Sequence, residues 1–287
     1  MLANPSRFLM AGTALVAVLS AGAGQAADWS DTAIGYRYGT QFTEPNNPDK
    51  VEKHILQLSH VSGYSLGQNF FNLDLLQSDS TDPVQGSDSG ATEAYLVYRH
   101  QLHAGKLLGA PIAFGPIQDM ALTAGFDLNT KNSAFAPRKR QLLVGPTLKF
   151  DVPRGFLDLS LLYSREWNHC GLDACGLPGN RNDLSFDPYY QVNLAWGLSF
   201  EAGALPMKFQ GFYNYNGEKG DDYFGVPTEA EQLMRTRLML DAGQLTWGGE
   251  NTLWVGVGHE YWRNKFGNHS KPGVDTDALT LNLEWHL

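Results

Sequence analysis

The sequence predicts an all-β protein, a transmembrane antiparallel β-barrel of about 12 strands. Three observations lead to this fold class. Alternating apolar and polar residues recur along the chain, which is the pattern of strands with one apolar and one polar face. Many of these runs reach about 9–11 residues, the length that a tilted strand needs to cross a bilayer. The connections alternate between short and long, which is typical of bacterial outer-membrane barrels.

The N-terminal residues have the pattern of a secretory signal peptide. Arg7 is the only charged residue before Asp28, and the apolar segment FLMAGTALVAVLSA follows Arg7. Small residues end this segment, and we expect cleavage after Ala26. An uncleaved membrane anchor is the alternative, although the apolar segment is short for a membrane-spanning helix. The predicted domains are therefore a signal peptide at 1–26 and one transmembrane barrel domain at 27–287.

Charge and composition narrow the function. The formal net charge is −9, and it becomes −10 when Arg7 leaves with the signal peptide, which argues against a nucleic-acid partner. After the signal peptide, no stretch has the roughly 20 consecutive apolar residues of a membrane helix. Aromatic residues make up 12% of the chain, and 31 residues are glycine. A barrel accounts for both, through aromatic girdles at its two interfaces and glycines in turns and at crowded inner positions.

The predicted strands follow one another along the whole mature chain. Those of the first half are IGYRYG, HILQLSHV, NFFNLDLLQ, ATEAYLVYRHQL, MALTAGFDLNT and QLLVGPTLKFD. The fourth is ambiguous, because both of its faces carry aromatic residues. The second half adds FLDLSLLYSREW, PYYQVNLAWGLSF, MKFQGFYNYN, LMRTRLMLDAG, TLWVGVGHEYW and LTLNLEWHL. About twelve strands result, an even number as in single-chain bacterial barrels.

A soluble β-sandwich is the alternative fold, but its strands usually run about 5–6 residues. Charge placement also favours the membrane barrel, since a charge on the inner face costs little there. The charged residues that fall on the polar face of the runs are Asp127, Lys149, Asp158, Arg235, Arg237 and Glu284.

One connection breaks the alternation of short and long. The segment 103–119, HAGKLLGAPIAFGPIQD, stands where a short turn is expected, yet it is long and apolar. It either folds beneath the barrel or enters and plugs the lumen.

Cys170 and Cys175 are the only cysteines in the chain. In an exported protein a closely spaced, even pair indicates a disulfide within one loop. A metal site is the weaker alternative, because His169 is adjacent but a third firm ligand is missing. We predict neither a metal nor a cofactor.

The chain ends on the alternating run LTLNLEWHL. Such a strand resembles the C-terminal signal of outer-membrane proteins, which the barrel insertion machinery binds. Those signals usually end in Phe, whereas here the last residue is Leu287 and Trp285 lies two residues earlier. We expect this strand to pair with the first strand and to bind the insertion machinery.

Several stretches resemble the nucleoside-specific channels of the Tsx type, in the OmpK-like or outer envelope protein branch. They are ATEAYLVYRHQL, the long stretch 113–163, FDPYYQVNLAWG, GFYNYNGEKGDDYFG and VGVGHEYWRNKFGN. The resemblance covers most of the mature chain. It implies a monomeric twelve-stranded barrel with a narrow lumen in the bacterial outer membrane, for the passive and partly selective uptake of nucleosides or similar small solutes.

A lumen that selects nucleosides needs aromatic faces to stack the base and polar groups to replace water around the sugar. The candidate substrate-binding residues in phase with the polar face are Tyr95, Tyr189, Phe212, Trp262, Lys149, Arg235, Arg237, Asp127, Asp158 and Glu260. Tyr189 and Trp262 are the strongest, because ion pairing does not explain a large aromatic residue on a polar face. The alternatives are that the charged residues only pair with one another and that Trp262 belongs to an interfacial girdle.

Two other functions stay open, a general small-solute porin and a structural or adhesion barrel. An outer-membrane phospholipase would need a Ser–His–Asn arrangement, and no serine lies in a recognisable nucleophile motif, so we predict that the protein is not an enzyme. The predicted partners are small solutes and the outer-membrane lipid. The run Arg138–Lys139–Arg140 either faces the phosphates of lipopolysaccharide or takes part in solute binding.

Overall fold

A computed structural model describes residues 27–110 and 112–287. The predicted signal peptide at 1–26 lies outside the described residues. The remainder forms a closed antiparallel barrel of twelve long strands, which confirms the predicted fold class.

The strands of the barrel wall are 11 to 15 residues long. They are β1 (Trp29–Phe42), β2 (Val51–Tyr64), β3 (Gly67–Ser78), β4 (Thr92–His103), β5 (Ile117–Lys131), β6 (Arg140–Phe150), β7 (Gly155–His169), β9 (Tyr189–Ala202), β10 (Leu205–Asn216), β11 (Glu231–Asp241), β12 (Leu253–Arg263) and β13 (Thr276–His286). The short β8 (Asp183–Ser185) pairs with the end of β7. Helices are brief: Ala104–Leu108, Ala242–Trp247 and the 3₁₀ turns Asp173–Gly176 and Lys265–Gly267.

Pairing of the last strand with the first closes the barrel. Ile34 lies opposite Trp285, and Tyr38 lies opposite Leu281. Every strand of the wall therefore has two antiparallel neighbours. A bilayer demands this arrangement, because lipid offers no partner for an unpaired backbone N–H or C=O.

Register assigns each residue to a face, since directly opposed residues share one. The outer face is apolar and strongly exposed: Leu279 is 74%, Leu281 62% and Val257 56% exposed. Apolar side chains at such exposure around a whole wall require a lipid environment. Among the described residues, no helix is long and apolar enough to cross a membrane.

Exposed aromatic residues mark both rims of this apolar band. At the end that carries the short turns they include Trp29, Trp247, Trp285, Phe156 and Phe200, and the rings of Trp247 and Trp285 stack at 6.2 Å. At the end that carries the long loops they include Tyr163, Tyr190 and Tyr215. These are the interfacial girdles of a membrane barrel.

The segment 103–119 lies at the short-turn end. Its first residues form the helix Ala104–Leu108. Leu107, Leu108 and Phe114 are all more than half exposed, so the described part of the segment does not fill the lumen. Of the two expectations for this segment, the position beneath the barrel is the one observed.

The loop that contains both cysteines packs against other loops at the long-loop end. Cys170 and Cys175 are joined as a disulfide, with their Cα atoms 6.1 Å apart. Both are fully buried in a cluster with Leu184, Phe186 and Tyr223. Burial raises the pKa of the Tyr223 hydroxyl. The disulfide therefore braces a small apolar core outside the barrel wall.

We predict that Leu281→Arg destabilises the barrel in phospholipid vesicles by about 2–4 kcal/mol, the cost of a guanidinium at the bilayer midplane. Leu281 lies at the centre of β13 and faces lipid. The free energy of unfolding is measured by urea titration of the vesicle-inserted protein. Leu108→Arg, in the exposed helix at the short-turn end, is the control and should have little effect. Equal losses in the two variants would contradict the assignment of the lipid-facing wall.

Candidate functional site

All ten candidate lumen residues lie on the inner face of the barrel, including Tyr95 of the ambiguous strand. The register places them there in facing sets. Tyr95 lies opposite Asp74, Lys149 opposite Asp158, and Arg235 between Phe212 and Glu260. The predicted inner phase is therefore correct, whereas the role of these residues in binding a solute stays a prediction.

Side chains cross the middle of the lumen. Arg235 on β11 donates to Asp74 Oδ2 on β3 at 3.3 Å, although these strands are five positions apart around the wall. The same guanidinium donates from Nε to Glu260 at 2.7 Å. Arg37 on β1 also donates to Asp74, at 3.1 Å. Arg235 therefore joins nearly opposite walls of the barrel through a network of charged hydrogen bonds.

Arg237 makes a second crossing beside the first. Its Nη1 donates to Gln57 Oε1 at 3.2 Å and also pairs with Glu284. Gln57 donates to Asn72, and Asn72 donates to Asp74 at 2.9 Å. We call Arg235, Arg237, Asp74 and Gln57 the cross-lumen bar.

Apolar side chains fill the lumen on one side of the bar, toward the long loops. Phe42, Val51, Ile55, Leu76 and Ala278 form a buried cluster there, and Tyr95 packs against it. These residues face inward, because Ile55 lies opposite both Arg37 and Leu76. The sequence interpretation assumed a polar inner face, and it missed this cluster. The phase of Val51 and Ile55 with Lys53 and Gln57 was the signal that could have revealed it.

A single carboxylate holds the loops above this cluster. Glu44 lies in the loop between β1 and β2 and contacts Lys53 at 2.5 Å, Lys131 at 3.1 Å and Lys265 at 3.7 Å. Burial alone would raise the pKa of Glu44, but the charges of these lysines outweigh it and hold the pKa well below its usual range. We call these four residues the Glu44 cage. Alternation gave no sign of the cage, because Glu44 and Lys265 lie outside the strands.

Tyr189 lies in a second buried ionic cluster at the long-loop end. Its hydroxyl donates to Glu166 at 3.2 Å, and Lys219 and Lys139 contact the same carboxylate at 2.7 and 3.6 Å. Tyr189 is only 4% exposed. Its ring face is therefore covered in this conformation. Lys139 points into this cluster, whereas Arg138 and Arg140 are exposed at the rim.

Trp262 faces inward and does not belong to an interfacial girdle. Its indole Nε1 donates to Glu231 at 2.6 Å, and the ammonium group of Lys265 lies 4.4 Å from a ring centroid. The side chain is buried. Like Tyr189, Trp262 is already occupied by protein partners in this conformation.

Lys149 and Asp158 form a closed pair near the short-turn end. Their ammonium and carboxylate groups are 2.7 Å apart, and the amide of Gln101 bonds both. The two side chains are comparably buried. This pair matches the alternative in which inner charges brace the wall.

Inner side chains on β4, β9, β10 and β11 remain partly exposed, and we call the space that they border the free lumen. Phe212 is partly exposed there, and the guanidinium carbon of Arg235 lies 6.0 Å from its ring centroid. The hydroxyl of Tyr95 donates to Asp127, which also pairs with Arg99. Other partly exposed inner residues in this region are Val97, Gln101, Asn193, Gln210, Asn214 and Leu233. An aromatic face, guanidinium groups and amides therefore border one narrow space.

The described residues contain no group of His, Cys, Asp and Glu side chains that could hold a metal ion. The carboxylates of Asp74, Glu260 and Glu284 are instead paired with cationic or amide partners.

No protein-family model and no curated protein matches the chain. Solved structures with a similar barrel include the KdgM porin, with 10% identity over 88% of this chain and 98% of that chain and a TM-score of 0.44. The NanC porin has 9% identity, and the match covers 88% of this chain and 100% of that chain with a TM-score of 0.47. The translocator domain of autotransporter NalP from Neisseria meningitidis has 13% identity. This match covers 97% of this chain and 95% of that chain, with a TM-score of 0.47. These likenesses are too distant to assign a family or a solute, and the resemblance to Tsx-type channels stays an expectation.

We predict that Glu44→Gln destabilises the folded barrel by about 3–5 kcal/mol, because it removes the carboxylate shared by three buried lysines, of which, in the described part of the chain, Lys131 alone keeps a second carboxylate, that of Asp82 at 2.7 Å. Guanidinium unfolding in detergent micelles, followed by tryptophan fluorescence, measures the change. Glu201→Gln is the control. It breaks an exposed pair with Arg154, which is expected to contribute no more than about 1 kcal/mol.

The contribution of Glu44 to the stability of the folded barrel should decrease at low pH. Since the folded state lowers the pKa of Glu44 below its ordinary 4.5, the stabilisation is complete above that value and is lost as the pH falls through the lower, folded-state pKa. The parent protein should therefore lose stability below about pH 4.5 more steeply than Glu44→Gln. Parallel pH profiles for the two proteins would contradict the electrostatic role of the Glu44 cage.

Proposed function

We propose that the protein is a passive channel of the bacterial outer membrane that admits small polar solutes. A chain of this kind would be exported, would insert through its C-terminal strand and would act as the monomer that the resemblance to Tsx-type channels implies. The single observation that supports a channel best is the partial exposure of polar and aromatic inner side chains beside the cross-lumen bar. A barrel with a purely structural role has no need of such a lining.

Nucleosides are the solutes that we propose. Their bases are flat and would stack on Phe212, the partly exposed ring beside Arg235. Their ribose hydroxyls would exchange hydrogen bonds with the amides of Asn193 and Asn214, which bond to each other at 2.7 Å. Because each contact replaces an existing hydrogen bond, binding would be weak enough for the solute to leave.

Tyr189 and Trp262 are not accessible to a solute in this conformation. Their polar atoms are occupied by Glu166 and Glu231, and their rings are buried. Contact between either ring and a solute would require the loops at the long-loop end to move. Phe212 and Tyr95 are therefore the aromatic residues that a solute meets first in this conformation.

The test is single-channel conductance in a planar bilayer, titrated with adenosine, thymidine and a sugar as the control. Saturable block by the nucleosides, with no block by the sugar, would support a selective site. A steady current that no nucleoside blocks would favour a general small-solute porin. Absence of current from a correctly folded barrel would overturn the channel and favour a structural or adhesive role.

We predict that Phe212→Ala weakens block by thymidine about tenfold, because one aromatic stacking contact contributes about 1–3 kcal/mol. The measurement is the thymidine concentration that halves the open-channel current. Phe209→Ala is the matched control, since Phe209 lies three residues away on the same strand, faces lipid and stacks on Trp196. Equal weakening by both substitutions, or by neither, would remove Phe212 from the site.

A further inference from the structure

We propose that the free lumen carries an oxyanion subsite formed by Arg235, Arg237 and Arg99, which favours solutes that bear a carboxylate or phosphate group. This inference rests on the proposed channel function and adds that the preferred solute is an anion. Three observations support it: the exposure of the charged partners, the hydrogen-bond donors left over, and the position of the arginines around the wall.

In each ionic group of the free lumen, the base is more exposed than the acid. The Arg235 side chain is 24% exposed, whereas its partners Asp74 and Glu260 are each 4% exposed. Arg237 is 22% exposed and Glu284 is 8%. Arg99 is 18% exposed and Asp127 is 8%. The carboxylates therefore lie against the wall, and the guanidinium groups face the space that a solute enters.

The cations of the other inner pairs are also more exposed than their acids, but they are less exposed than these three arginines. Lys208, which pairs with Glu284, is 16% exposed, Lys149 is 11% and Lys219 is 6%. The three arginines are therefore the cations of the inner wall that a solute reaches most readily.

The three arginines also retain unused donors. Arg99 bonds to the protein through Nη1 alone, and so does Arg237, whereas Arg235 uses Nε and Nη1. Within the described residues, Nη2 of each guanidinium has no protein partner. A guanidinium carries five N–H donors in a planar fork, which matches the oxygens of a carboxylate or phosphate. An anion could therefore bind without breaking the existing pairs.

The arginines approach the free space from opposite walls. Arg99 lies on β4, and Arg235 and Arg237 lie on β11, which is six positions away in a ring of twelve strands. Arg235 and Arg237 extend across the lumen to Asp74 on β3 and Gln57 on β2, so their guanidinium groups converge toward the wall that carries Arg99. In a narrow lumen of low dielectric constant, the nearest charges dominate the energy of the passing ion. The arrangement favours anions over cations.

The test measures the reversal potential of the channel under a KCl gradient, and then compares block by thymidine with block by thymidine monophosphate. We expect preference for chloride over potassium. Thymidine monophosphate should block at a concentration at least about tenfold lower than thymidine, because charged hydrogen bonds to guanidinium groups are strong. The two probes share the base and the sugar, so the comparison isolates the phosphate.

The variants Arg237→Gln and Arg99→Gln should each shift the reversal potential toward potassium and reduce the advantage of the monophosphate. Each keeps a hydrogen-bonding side chain and leaves the Arg235–Asp74 crossing in place. Arg154→Gln removes the same charge from an exposed pair outside the lumen and should change neither quantity.

The possible results distinguish failure of the oxyanion subsite from failure of the channel function. A conducting barrel that prefers potassium, or that both probes block equally, would overturn the subsite and leave the channel standing. A folded barrel without current would overturn the channel, and titration calorimetry with thymidine monophosphate would then decide the subsite. Binding that Arg237→Gln and Arg99→Gln weaken would support the subsite, and absence of binding would overturn it.

Discussion

The structure depends on one constraint, which is that lipid offers no hydrogen bond to a peptide group. Closure of β13 onto β1 satisfies this constraint for the whole wall. Once the wall is closed, its strands have an outer face that is apolar across the membrane and an inner face that receives most of their charge, whereas charged outer residues such as Arg140, Arg263 and Asp277 lie at strand ends. The charged lumen is thus a consequence of the closed wall, and the ion pairs within it follow from the need to compensate those charges.

The pairing of acidic and basic side chains determines how much of the lumen stays open to a solute. Where acid and base meet across the barrel, as Arg235 meets Asp74, their side chains occupy the axis. Where inward residues are apolar, as in the cluster around Ile55, they pack together and exclude water. The space that is left lies to one side, next to Phe212 and the exposed guanidinium groups. Binding chemistry and wall stability therefore draw on the same residues.

The sequence predicted the wall well, because a period of two residues determines both the strand and its faces. It placed Phe212, Arg235 and Glu260 on the inner face, although they belong to three different strands. It did not predict which inner residues meet, because alternation carries no information about height or about contacts across the axis. The pairing of Arg235 with Asp74 and the position of Glu44 depend on strand stagger and loop path, and only the three-dimensional structure shows them.

The Glu44 cage joins three separate parts of the long-loop end through one carboxylate. Lys53 belongs to β2, Lys131 to the end of β5, and Lys265 to the connection between β12 and β13. If one part moved away alone, it would break a buried ion pair with Glu44, so the three parts are coupled. Any opening at this end would then be cooperative, with the loops released together and the barrel passing between discrete states.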